Sequence, residues 1–224
     1  MLLRLLKMAL GVLLIPLCIG FTWQFGSAVV TTAYKPDLPY LFLGGVLAYL
    51  AIHFLFRKPI MTYVFGHELT HALFAVLFGG AVKSFQASDR GGQVCVTKSN
   101  FVITLAPYFF PLYTFLTLVL YGVMALSAAT GAARALVVLA GATFAFHLAL
   151  TVLFLRTDQK DIREHGALFS YPLIYLFNLL FGAFLLYLLL AQKNGFLDFA
   201  GNGIIRSIRI CVVAATGVWR LVRS

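Results

Sequence analysis

Acidic side chains are nearly missing from this chain: seven Asp and Glu stand among 224 residues, against 17 Lys and Arg. Charged residues of both signs make up 11% and hydrophobic residues 62%, with a mean hydropathy of +0.96. That shortage excludes an ordinary soluble domain, in which about a quarter of residues are charged. Cysteine is as sparse. Cys18, Cys95 and Cys211 are scattered with no paired spacing, which excludes a disulfide framework and a thiolate zinc site and leaves them to packing. The net charge of +10 calls for no nucleic acid, because basic residues flank apolar helices under the positive-inside rule.

What the chain has instead is long apolar runs. A hydrocarbon layer of about 30 Å takes roughly 20 helical residues to cross. Runs at 8–30, 40–56, 59–79, 101–128, 132–155 and 171–191 meet that need. They predict an all-α, polytopic membrane protein of about six transmembrane helices, forming one domain over 1–200. The first run follows Arg4 and Lys7 as a signal peptide would. It continues past the usual apolar length with no small-x-small cleavage site, so it reads as a retained span in an integral multi-pass protein of the plasma (inner) membrane.

Two segments break the pattern. Residues 81–99 carry Val82, Phe85, Val94 and Val96 around the turn-forming Asp89-Arg90-Gly91-Gly92, which predicts a short β-hairpin. Its open edges cannot face lipid, so it belongs at the interface or against protein. Residues 201–224 alternate Arg206, Arg209, Arg220 and Arg223 with Ile204, Ile205, Ile208, Val212, Val213 and Trp219. They read as a basic amphipathic helix lying on anionic lipid. Six alternating spans with a cytoplasmic amino terminus put ten basic residues inside, Arg4, Lys7, Arg57, Lys58, Arg134 and Lys193 among them. The seven outside then include Arg156, Lys160 and Arg163.

Within the third run lies His67-Glu68-Leu69-Thr70-His71. Residues four apart on a helix sit one turn above each other. His67 and His71 can therefore point imidazoles at one metal ion, with Glu68 beside it to handle the proton of an activated water. H-E-x-x-H is the zinc hydrolase arrangement of two ligands and a base. A charged side chain at the centre of a span costs about 2.5–3.5 kcal/mol on insertion scales. Three polar groups in one turn need something that offsets the cost, and a bound Zn2+ would.

A catalytic zinc takes three protein ligands and keeps one position open. The stretch Arg156-Thr157-Asp158-Gln159-Lys160-Asp161-Ile162-Arg163-Glu164-His165 offers carboxylates, and His147 lies inside the fifth run. If the third and fifth runs exit on one face, His147 and His71 sit at similar heights. On straight helices Asp158 and Asp161 lie about 12 Å too high, unless the segment turns back. Both possibilities stay open on the residues alone.

The stretch Phe65-Gly66-His67-Glu68-Leu69-Thr70-His71-Ala72-Leu73, then Phe78-Gly79-Gly80-Ala81-Val82, the hairpin, and Leu105-Ala106-Pro107 resembles the site-2 protease (M50) family of intramembrane zinc metalloproteases. The likeness covers about 63–111 and is weaker through 146–170. It implies zinc held within the membrane and a substrate that is itself a membrane protein segment, unwound and cut. The family's third ligand is commonly the aspartate of an Asp-Gly motif, often after Asn-Pro. Neither dipeptide occurs here, so this looks like a divergent, minimal member. By analogy of chain order Asp161 is the first choice of third ligand, with Asp158 and His147 as alternatives. Glu68 is the expected catalytic base. The competing readings are a membrane zinc hydrolase of a lipid-linked substrate and a non-catalytic metal-binding membrane protein.

Overall fold

The computed structural model describes residues 2–126 and 130–223. The chain divides into two compact units, Met1–Lys35 with Ile162–Ser224, and Pro36–Asp161.

The second unit holds the H-E-x-x-H motif. It contains α2 (Leu38–Leu55), α3 (Ile60–Leu77), the strands β1 (Val82–Ser88) and β2 (Gly91–Val96), α4 (Phe101–Phe109), α5 (Leu112–Leu126) and α6 (Thr130–Leu155). The helices α2, α3 and α6 are each long and apolar enough to cross a membrane. Helices α2 and α6 run parallel. Asp37 pairs with Arg134 at 3.5 Å near their first residues, and the Tyr49 ring meets Phe146 at 5.5 Å further along. Close approach between them rests on glycine: a Cβ at Gly45 would lie 1.9 Å from the Val138 carbonyl oxygen, and one at Gly141 2.1 Å from that of Phe42. With no hydrophobic drive between helices in lipid, such small residues let backbones pack closely.

The fourth apolar run departs from the expected single span. It breaks into α4 and α5, bent by 73°. Pro111 disfavours the α conformation for the residue before it, and Phe110 is accordingly extended at φ −101°, ψ 104°. Helix α4 descends along α3, starting beside His71 and reaching His67 at Tyr108. At nine residues it is about 13 Å long, too short to cross. Helix α5 then runs back along α6, with Tyr113 beside Phe146 and its last residue four positions before Thr130. The pair therefore enters and leaves on one side. This is why α6 is parallel to α2 and antiparallel to α3, where Tyr63 meets Thr151 and Phe154. Strict alternation of six spans is thereby corrected: Arg57 and Lys58 share an end of this unit with Arg156 and Lys160. The irregular backbone at the bend is covered by protein, as lipid requires, with Phe109 and Leu112 both buried.

The hairpin forms as expected, with Phe85 opposite Val94 and Ala87 opposite Gly92. It lies against α3, and Phe65 and Phe85 meet edge-on at 5.6 Å.

In the first unit, α1 (Leu2–Thr31) and α8 (Ala167–Leu185) run parallel: Cys18 donates to the Pro172 carbonyl, and Thr22 meets the Tyr175 hydroxyl at 2.7 Å. A π-helical turn, Leu186–Leu190, extends α8. Helix α9 (Phe196–Arg223) returns along α1, burying Phe199 and Ser207 and exposing Ile204, Ile205, Ile208, Val212 and Val213. Arg206 donates to Gln24 at 2.7 Å and lies over the Trp23 ring. The expected tail residues Trp219, Arg220 and Arg223 have side chains outside the described residues. Helix α7 (Lys160–His165) straddles the division between the units. Since α1 and α8 are parallel, Arg4, Lys7 and Arg163 lie at one end of the first unit rather than on opposite faces.

Candidate metal centre

Helical spacing stacks His67 and His71 on one face of α3, their rings 4.9 Å apart. Asp161 Oδ2 lies 3.6 Å from His67 Nε2 and 3.5 Å from His71 Nε2. The three residues form a metal-capable cluster whose ligand atoms are all within 4.8 Å of one another. These separations are too long for good hydrogen bonds. The two carboxylate–imidazole separations match edges of a tetrahedron around zinc, about 3.3–3.6 Å for ligands at 2.0–2.2 Å. The donor set of two imidazoles and one carboxylate, with side chains 10%, 11% and 23% exposed, fits a zinc ion.

Asp161 arrives by a reversal that straight-helix geometry misses. After α6 ends, Gln159 Nε2 bonds the Phe154 carbonyl and Thr157 Oγ1, and Thr157 also caps Phe154. This folds 156–159 back so that α7 starts with Asp161 turned toward α3. Asp158 is exposed in the connecting loop and stands outside the cluster. His147 is buried across a cavity of about 20 Å³ from His67, with Tyr63, Thr70, Phe110 and Phe146 in the wall. It too stands outside the cluster. Its neighbour is His67 rather than His71, because α3 and α6 are antiparallel.

Each histidine is held differently. His71 Nδ1 donates to the Ile103 carbonyl at 2.9 Å, which leaves Nε2 as the nitrogen that could hold a metal. Pro107 has no N–H to give the carbonyl four residues earlier, and that carbonyl belongs to Ile103. His67 Nδ1 is buried without a hydrogen-bond partner among the described residues. Its ring is instead set edge-on against Tyr108 at 4.9 Å. The Tyr108 hydroxyl lies 3.0 Å from Asp161 Oδ2 and 3.2 Å from Gln159 Oε1, steadying the carboxylate. Tyr108 was not among the residues expected at the site. Its only sequence signal is its place just after Pro107.

Glu68 is buried beside the cluster, with the β2 backbone packed against it at Gly92. Gly92 sits directly on the glutamate: a Cβ there would lie 2.5 Å from Glu68 Cγ and 2.8 Å from Oε1. This glycine serves close approach as well as the turn.

Comparison with curated proteins gives no match, and comparison with solved structures gives none. A family model does match. The Peptidase M50B-like model covers residues 40–160, more than half of the chain, including His67, Glu68 and His71 and ending just before Asp161, so the chain belongs to this family of membrane metalloproteases.

Proposed function

We propose that this protein is an intramembrane zinc endopeptidase that hydrolyses peptide bonds in transmembrane or membrane-proximal segments of other membrane proteins. In this reading His67, His71 and Asp161 hold zinc and Glu68 is the catalytic base. The observation that carries it is the convergence of two histidines and a carboxylate with a separate, buried Glu68 that is not needed as a ligand. A purely structural metal site has no use for that extra carboxylate. When bound, zinc supplies Lewis acidity, which polarises a scissile carbonyl and acidifies water. The Glu68 carboxylate takes the proton of the attacking water and delivers it to the leaving amine. The β2 backbone at Gly92 packs against that side chain. Tyr108 and the Gln159 turn fix Asp161, and the Ile103 carbonyl fixes His71. A substrate helix must unwind to expose its carbonyl, and the β2 edge offers backbone groups for strand addition in place of those lost. The basic α9 rests on anionic lipid, and the protein resides in the plasma (inner) membrane.

The test combines zinc content with cleavage of candidate membrane proteins. Wild type, Glu68→Gln, Asp158→Ala and His147→Ala should hold stoichiometric zinc, whereas His67→Ala and Asp161→Ala should lose it. Cleavage should fall by at least about 100-fold in Glu68→Gln, the least expected from losing a general base. Zinc retained in Asp161→Ala but lost in Asp158→Ala or His147→Ala would reassign the third ligand. Unchanged cleavage in Glu68→Gln would end the hydrolase reading.

A further inference from the structure

The two histidines of the metal centre are anchored unequally. His71 has the Ile103 carbonyl on Nδ1 at 2.9 Å, whereas His67 Nδ1 is buried without a hydrogen-bond partner among the described residues. His67 Nε2 faces Asp161, and in the neutral ring it can hold a metal only when the proton sits on Nδ1. Zinc binding therefore puts a buried N–H donor at the ring atom that lacks an acceptor. Metal-binding histidines almost always give that second N–H to a carboxylate, a carbonyl or water.

The cavity of about 20 Å³ lies against this ring. His67 lines it and neither His71 nor Asp161 does, so it meets the ring on the side away from the ligand atoms. Its size suffices for one water, which takes about 10–15 Å³. A buried water also needs roughly two to four polar partners, and the wall narrows the choice. The Tyr113 hydroxyl donates to the Thr62 carbonyl at 2.7 Å, and the Tyr63 hydroxyl pairs with Thr151 at 3.3 Å. Thr70 and His147 are the other polar side chains in the wall, 1% and 6% exposed. Thr70 Oγ1 donates its proton to the Gly66 carbonyl at 2.7 Å, so it meets the cavity as an acceptor. The His147 imidazole has two ring nitrogens, each a separate hydrogen-bonding site.

We propose that one buried water in this cavity accepts the His67 Nδ1–H and is held by Thr70 Oγ1 and the His147 ring, which makes Thr70 and His147 positioning residues for the metal ligand His67. Resting on the zinc reading above, this arrangement gives His147 a role without making it a ligand. It does for His67 what the Ile103 carbonyl does for His71.

Zinc affinity of the full chain in detergent, measured by chelator competition, tests it. Thr70→Val and His147→Leu should each still fill with zinc at saturation but bind it about 10-fold more weakly, the lower end for losing such a support. Thr70→Ser, which keeps the hydroxyl, should bind as wild type does. Because both side chains act through one water, Thr70→Val with His147→Leu should lose about as much as either alone. Two independent losses would multiply to about 100-fold. In NMR of the zinc-loaded protein labelled with 15N-histidine, the His67 Nδ1–H should show a nuclear Overhauser contact with water that each single variant weakens. Wild-type affinity in both single variants, or losses that multiply in the double variant, would overturn the shared water. Equal weakening in Thr70→Ser would overturn it too, since the hydroxyl would then not be what matters. A wild type that binds no zinc would instead end the metal reading, and this role with it.

Discussion

At the scale of single residues, the centre is held by groups that carry no metal themselves. Pro107 leaves the Ile103 carbonyl without its helical partner, and His71 uses that carbonyl to orient its ring. Gly92 lets the hairpin backbone close on Glu68, where any side chain would collide with Cγ. Gly92→Ala should therefore displace Glu68 or the strand while leaving the His67, His71 and Asp161 cluster in place. A displacement near 1 Å of a catalytic group costs about 100-fold in rate. We expect cleavage to fall by that order with zinc content unchanged. Loss of zinc in Gly92→Ala would show that the hairpin supports the ligands and not the base alone.

Among the elements, the α2–α6 pair is the frame against which the site is built. Its tightest contacts are glycine against backbone carbonyl, so an added methyl has no side chain to push aside. Gly45→Ala should destabilise the protein by about 1–3 kcal/mol, the range for overpacking. Gly44→Ala, whose Cβ would meet nothing within 4 Å, should be neutral or gain up to about 1 kcal/mol from helix propensity. Thermal unfolding of the two variants in one detergent checks the contrast, and equal melting would refute the close packing. Helices α4 and α5 show the complementary case. Composition made them one span, and the Phe110–Pro111 dipeptide made them two.

For the molecule as a whole, the re-entrant α4–α5 pair resets which ends of helices lie together. Ser99, after the hairpin, and Arg134, at the start of α6, should lie on the same side of the membrane, with Lys58 on the other. In a background without Cys18, Cys95 and Cys211, single cysteines at these positions can be labelled with an impermeant maleimide. Ser99→Cys and Arg134→Cys should react from one side and Lys58→Cys from the opposite side. Opposite labelling of the first two would mean that α4–α5 crosses the membrane.

Much of this was legible in order along the chain. The apolar runs located the spanning helices, because burying a backbone in lipid leaves few alternatives to a helix. Alternating residues around Asp89-Arg90 located the hairpin. Helical spacing alone aligned His67 with His71 and set Glu68 beside them. Three matters were decided only by tertiary structure. The reversal through Gln159 brought Asp161 to the two histidines, while His147 stayed across a small cavity and Asp158 stayed outside. The bend at Pro111 made α3 and α6 antiparallel, which no hydropathy count reports. The closure of Gly92 over Glu68 joined the hairpin to α3. Local periodicity specifies which groups share a helix face. Whether a distant carboxylate or a glycine arrives at that face depends on turns and contacts between residues far apart in sequence, and only the packed chain fixes those.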